Sequence, residues 1–379
     1  MAGGGSGGHI TPLLPLAHAL KRRQPNCRLI YIGLRGENLE AIKQRLSVFD
    51  EIYSIRAGKF RRYHGQNFLE RLVDVKTNLL NIRDFFKVMA GSTAAYRLLR
   101  KIKPDLVFSK GGYVVVPIGL VARLLKVPII THDSDALPGL ANRIVGRFAY
   151  LHTTGLPTDL YKDTYPDKTI KYVGIPVDER IKPVDAKLQA DYKRQIGIVS
   201  NSFVLLVSGG GLGSKTLNEK MLSMAPQFLA HPESYLIHLT GAQHKDKVKG
   251  QYQKVLTADQ LDRLKVMGFS GEFYKYSAAA DLIIARAGAS SLAEFALQQK
   301  ACIIIPAAFL SGAHQLKNTD WLKKHDAALI TNDEVESNKL LNLVEKLMKN
   351  PKRRAQLGNN LSSLAQPAAA DNLAKLLLS

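Results

Sequence analysis

The stretch 281–306, DLIIARAGASSLAEFALQQKACIIIP, decides the fold class. An apolar run, DLIIA, leads into a loop of small residues. A helical segment, SSLAEFALQQK, follows, and then a second apolar run, ACIIIP. Strand, loop, helix and strand in that order form a βαβ unit, and such a crossover joins parallel strands.

Working outward, short β-branched runs alternate with helix-period segments along the whole chain: RLIYIG, DLVFS, PIIT and YLHTT in the first half, FVLLVS and YLIHLT in the second. The alternation predicts a parallel α/β sheet twice over. A length of 379 residues agrees, because single cores stop growing beyond about 250–300 residues. The stretch 173–183, VGIPVDERIKP, carries two prolines and closes the first series. Domains over 1–174 and 175–359 are expected.

Two glycine loops echo one another, GGGSGGH at 3–9 and GGGLGSK at 209–215. The second follows the strand-like FVLLVS, whereas only Met1 and Ala2 precede the first. A phosphate-cradling loop needs a strand to aim it, so the first domain is expected to lack its first strand. Gly3, Gly5 and Gly8 satisfy GxGxxG, yet no acidic residue stands about 20 positions on, as a dinucleotide site requires; Glu37 lies farther along. The loop reads either as an anion cradle or as a turn. His9, where that loop enters a helix, is a candidate general base with an ordinary pKa of about 6.5, or else a packing residue at a helix start.

Three further loops follow strand-like runs. KGGYVVVP at 110–117 offers paired glycines, or a tight turn. THDSDALPGLANRI at 131–144 collects His132, Asp133, Ser134 and Asp135 where a parallel strand ends, the place where open α/β sheets bind ligands. In RAGASSLAE, residues 288–291 offer backbone amides and a helix dipole to a diphosphate, and Glu294 offers a carboxylate to a ribose cis-diol. Ser291 and Glu294 also have the S-x-x-E spacing of a capping box. His314 and Gln315 in SGAHQLKN are placed to reach a nucleotide sugar, or are surface polar residues.

The charge is lopsided. Of the net +21, residues 1–174 hold 27 basic and 13 acidic side chains, a net +14. The segment 56–103 alone holds 12 basic and 3 acidic. Such a field attracts anions, whether nucleic acid, phospholipid or phosphorylated substrate. In LLNIRDFFKVM, Leu79, Ile82, Phe85, Phe86 and Met89 recur at helical spacing. A core-facing stripe is the favoured reading, and a lipid-dipping patch bordered by Arg61, Arg62, Arg71 and Lys76 the alternative. No apolar run reaches the roughly 18 residues of a membrane span, and no signal peptide is expected. Cys27 and Cys302 are the only cysteines, which excludes a disulfide framework and fits a reducing compartment. No histidine pairing suggests a protein-held metal, and no nucleic-acid reading module accompanies the basic residues.

Taken in order, GGGSGGH, KGGYVVVP, THDSDALPGLANRI, VGIPVDERI, SGGGLGS, RAGASSLAE and HQLKN resemble the MurG family across essentially the whole chain. The resemblance implies two Rossmann-like domains of the GT-B type facing a cleft, with a final helix at about 360–379 returning to the first. It implies inverting transfer of N-acetylglucosamine from UDP-N-acetylglucosamine to the 4-hydroxyl of undecaprenyl-diphosphate-linked muramoyl-pentapeptide. No cofactor or metal and no nucleic acid enter, and the enzyme sits peripherally on the anionic phospholipid of the cytoplasmic membrane face.

By the same resemblance, Ser6, Gly7, Gly8, Gly211, Ala289, Ser290, Ser291, Glu294, His314 and Gln315 are substrate-binding positions. Gly111, Gly112 and Tyr113 meet the acceptor diphosphate, and His9 or Asp135 is the catalytic base. The chain departs from the family pattern at Asp133, Asp135, Asp178, Gly211 and Leu212, where Glu, Asn, Arg and Ser-Gln are usual. A UDP-sugar epimerase or glycolipid glycosyltransferase of the same plan, and an NAD-dependent oxidoreductase, are the rival readings.

Overall fold

The computed structural model describes residues 1–5, 7–37, 44–59, 74–307 and 314–379. The chain divides into one unit of Met1–Asp178 with Gln366–Ser379 and a second of Glu179–Ala365. The division thus falls four residues beyond 174, within the proline-bearing stretch 173–183. The helix Pro351–Ser363 stays with the second unit and the helix Ala369–Leu378 joins the first.

In the first unit, β1 (Ile30–Leu34) pairs with β2 (Glu51–Ile55), and β3 (Val107–Ser109), β4 (Ile129–Asp133), β5 (Leu151–Thr154) and β6 (Ile170–Tyr172) pair in sequence. All of these pairings are parallel. Ala2 bridges Ile32 on one side and Ser109 on the other, joining the two groups. Its amide donates to Phe108 O at 2.8 Å and its carbonyl accepts from Lys110 N at 2.9 Å. Ala2 therefore lies in the sheet between β1 and β3. Successive strand residues face opposite sides: Tyr31, Phe108 and Ile130 pack with the helices Leu13–Arg23 and Ala369–Leu378, while Ile32, Val107 and Ile129 pack with Val115–Leu124 and the far end of Val75–Ile102.

The second unit repeats the plan. β7 (Phe203–Ser208), β8 (Ser234–Leu239), β9 (Leu264–Met267), β10 (Leu282–Ala285), β11 (Cys302–Ile304) and β12 (Leu329–Ile330) form a sheet ordered β12-β11-β10-β7-β8-β9. Leu205, Leu282 and Ile303 face one core, Leu206, Ile283 and Ile304 the other. The order reverses between β7 and β10, and the register Ser208↔Ala285 sets the two outgoing loops side by side. Ligands bind at such a switch point.

The favoured reading of the 79–89 stripe is corrected. Helix Val75–Ile102 buries Asp84, Val88, Ala95 and Leu99, whereas Leu79, Ile82, Phe85, Phe86 and Met89 are 61, 56, 52, 65 and 54 % exposed. Two apolar stripes run along one helix, and the sheet takes only one. Arg83 and Lys87 border the outer stripe and pair with the buried Asp84. Among the described residues no helix is long and apolar enough to cross a membrane.

Candidate functional site

In the first unit the two glycine loops meet through their backbones. A Cβ on Gly112 would lie 2.1 Å from Gly4 O, and one on Gly5 would lie 2.7 Å from the Tyr113 ring. Gly5, Gly111 and Gly112 also have φ of +88°, +93° and +82°, a region costly for other residues. The contact holds His9, on the short helix Gly7–Ile10, against the other loop: its Nδ1 lies 3.2 Å from Lys110 O. A carbonyl only accepts, so Nδ1 donates and the lone pair of the neutral ring sits on Nε2. Gly8 is exposed with open space around it; Ser6 and the side-chain surroundings of Gly7 lie outside the description. Glu37, set aside on spacing, accepts from Gly5 N at 2.8 Å.

The loop after β4 is built on a buried polar network. Asp133 Oδ1 accepts from Asn142 Nδ2 at 2.9 Å and Gly139 N at 3.4 Å, and its Oδ2 accepts from Tyr165 OH at 2.9 Å. Asn142 Oδ1 accepts from Ser109 Oγ at 2.7 Å. Burial pushes the Asp133 carboxyl up, while Asn142, Tyr165, Lys110 and the Gly139 amide pull it down. Asp135 is half-exposed, and Tyr161 OH donates to its carbonyl at 2.8 Å. His132 is fully buried between Thr153 Oγ1 and Ser134 Oγ, and burial drives its pKa well below 6.5. It is a neutral structural residue.

In the second unit the loop 209–213 leaves β7 and packs on the next loop: Cβ atoms on Gly213 and Gly241 would lie 2.0 Å from Thr240 O and 2.4 Å from Leu212 O. Gly211, by contrast, has open space around it, and Leu212 is 78 % exposed. The departures at these two positions sit on the loop's crest and leave its frame intact. Helix Ala289–Leu297 begins after Gly288, which caps it without a side-chain hydrogen bond. Ser291 therefore lies inside the first turn, and the capping-box reading of Ser291 and Glu294 is replaced by a helix start at Gly288, which has no side chain to cap it. Such an end attracts anions.

Two residues unremarked in the sequence brace that start. Arg286, 6 % exposed, donates to Ile305 O, Ser214 Oγ, Thr216 Oγ1 and Asp333 Oδ1. Asn318 Nδ2 donates to Ala287 O at 2.9 Å. Gln315 is buried and its Oε1 accepts from Ala307 N at 2.8 Å; His314 opens the same helix, His314–Lys324.

Comparison with known proteins assigns both units. Residues 1–151 match the glycosyltransferase family 28 N-terminal domain and residues 204–373 the family 28 C-terminal domain. The UDP-N-acetylglucosamine--N-acetylmuramyl-(pentapeptide) pyrophosphoryl-undecaprenol N-acetylglucosamine transferase of Desulforudis audaxviator is 32% identical, covering 100% of this chain and 96% of its own. Among solved structures, Acinetobacter baumannii MurG is similar with a TM-score of 0.67 at 24% identity, covering 100% and 98% of the two chains. The UDP-GlcNAc 2-epimerase of Neisseria meningitidis, bound to UDP-GlcNAc, is similar with a TM-score of 0.66 at 13% identity, covering 100% and 98%.

Proposed function

The chain belongs to glycosyltransferase family 28, and from that membership we propose that it transfers N-acetylglucosamine from UDP-N-acetylglucosamine to undecaprenyl-pyrophosphoryl-N-acetylmuramyl-pentapeptide. The full-length likeness to a transferase of that name carries the reading. The fold alone does not separate a transferase from an epimerase, since it is shared with both.

The transfer is an inverting displacement in which the acceptor 4-hydroxyl attacks the anomeric carbon as UDP departs. The hydroxyl proton needs a base, and the His9 Nε2 lone pair, oriented by the Nδ1–H bond to Lys110 O, suits that role. Asp135 is its competitor. The departing diphosphate needs electrostatic stabilisation in place, and the amides of Ala289, Ser290 and Ser291 at the helix start supply it without a metal. Glu294, one turn on, takes the ribose hydroxyls. Gly111 and Gly112, whose backbone has positive φ, and Tyr113 after them take the acceptor diphosphate.

The exposed stripe Leu79, Ile82, Phe85, Phe86 and Met89 serves as the surface that dips into anionic phospholipid on the cytoplasmic membrane face, where the lipid-linked acceptor is held. Arg83 and Lys87 border it; Arg61, Arg62 and Arg71 and the Lys76 side chain lie outside the described residues. Incubation with a panel of UDP-sugars, with and without the lipid-linked acceptor, tests the function. Acceptor-dependent release of UDP from UDP-N-acetylglucosamine supports it, and acceptor-independent conversion of the sugar supports an epimerase instead.

A further inference from the structure

The loops that follow β7, β10, β11 and β12 are fastened together by one side chain. Arg286 is the first residue after β10, and its guanidinium is buried. Nη1 donates to Asp333 Oδ1 at 2.6 Å and to Ile305 O at 3.1 Å, while Nη2 donates to Ser214 Oγ at 2.6 Å and to Thr216 Oγ1 at 3.2 Å. A guanidinium presents its donors as a rigid planar fork. The bonds on Nη1 therefore settle where Nη2 points.

Nη2 points at the end of the second glycine loop. Ser214 is the N-cap of helix Lys215–Phe228, its Oγ accepting from Leu217 N at 3.3 Å, and Thr216 lies in the first turn. The loop folds back tightly on that cap, since a Cβ on Gly209 would lie 2.5 Å from Ser214 N. Arg286 itself stands two residues before Gly288, where helix Ala289–Leu297 begins. One fork thus ties the loop 209–213 to the helix start beside it.

Asp333, three residues beyond β12, holds the other arm of the fork. Its Oδ2 is buried and has no hydrogen-bond partner among the described residues. A buried acceptor without a partner costs stability, so the carboxylate is not placed by its own hydrogen bonding. What it supplies is the counter-charge for the buried guanidinium, which removal would leave uncompensated.

We propose that Asp333 is a positioning residue of the donor site: by holding Nη1 it aims Nη2 at Ser214 and Thr216, and so fixes the glycine loop 209–213 against the helix start that receives a nucleoside diphosphate. It touches no reacting atom and acts through Arg286. The proposal rests on the transferase reading for the place of the diphosphate, and on the ion pair for the clamp.

The test is UDP calorimetry on the wild type, Asp333→Ala, Thr216→Val and the double variant, each shown folded by circular dichroism, with amide hydrogen exchange on the same proteins. Asp333→Ala is expected to weaken UDP binding by about tenfold or more. Thr216→Val is expected to weaken it in the wild type and to add little in Asp333→Ala, because the fork no longer reaches Thr216. The amides of Gly213 and Leu217, bonded to Gly210 O and Ser214 Oγ, should lose protection in Asp333→Ala while those of β8 keep theirs, a contrast that a general loss of stability would not give. Wild-type UDP affinity in Asp333→Ala, or additive effects of the two substitutions, overturns the proposal. Should Asp333→Ala not fold, Arg286→Lys keeps a charge opposite Asp333 but loses the fork, and it must weaken UDP binding and deprotect the same two amides; wild-type values overturn the proposal. If the wild type binds no UDP, the transferase reading fails, and the exchange comparison alone decides the clamp: equal protection of Gly213 and Leu217 in the wild type and the variant overturns it.

Discussion

His9 takes its ring orientation from a residue 101 positions away. The Lys110 carbonyl fixes which ring nitrogen carries the proton, and the glycine pair that follows lets the carbonyl approach. Replacing His9 by Ala is expected to lower turnover about 10²- to 10⁴-fold while calorimetric UDP affinity stays at the wild-type value; unchanged turnover would remove His9 from the base role. His9 was legible because it flanks a glycine loop. Lys110 and Asn142 lay inside quoted motifs without being singled out, and Tyr165 had no local signal. Their roles exist only through partners distant in sequence: Asn142 meets Ser109, and Tyr165 meets Asp133, 33 and 32 positions apart.

At the scale of elements, the eight runs read from the sequence all correspond to strands, and the four strands not named, β2, β6, β9 and β12, are the sheet edges. Central parallel strands are covered on both faces and read as continuous apolar runs. An edge strand such as EIYSI or LKVM mixes polar and apolar residues because solvent reaches it, and β12 is only two residues long. Periodicity also found the 79–89 stripe but not its direction, since an outward-facing and a core-facing stripe have the same spacing.

Two expected outcomes belong here. Phe86→Ser should weaken binding to anionic vesicles by about 1.5–3 kcal/mol without lowering the melting temperature, and wild-type vesicle binding should fall as salt screens the basic border. Undiminished partitioning of the variant would argue against the lipid role of that face. Glu294→Ala should weaken uridine nucleotide binding by about 1.5–3 kcal/mol, the range for a hydrogen bond to a charged group, while helix stability is retained because Gly288, not Ser291, caps the helix. Wild-type affinity in that variant would take Glu294 out of the donor site.

Among the described residues of the whole molecule, three buried histidines make folding acid-sensitive. His238, held between Tyr252 OH and Asn218 Oδ1, has its pKa lowered by burial to about 3, His152 to about 4, and His132 well below its ordinary value. Once unfolded, each titrates near 6.5. As pH falls from 6.5 toward 4 the unfolded chain binds protons that the native state refuses, so stability falls over that window. His238→Gln is expected to be less stable than the wild type at pH 7 but to lose less on acidification to pH 4, measured by urea unfolding; parallel losses in the two proteins would exclude His238 from the effect.

Both Rossmann-like units were legible from alternation and glycine loops, because parallel sheets with two covered faces impose a strong pattern on the chain. The chemistry was legible only from seven motifs taken together, since each loop alone equally fits a turn. The most direct measurement is mass spectrometry of the lipid product after the purified chain meets UDP-N-acetylglucosamine and undecaprenyl-pyrophosphoryl-N-acetylmuramyl-pentapeptide. A lipid heavier by a single N-acetylhexosamine, with UDP released in equal amount, is the expected result. An unmodified lipid beside consumed or epimerised donor would contradict it.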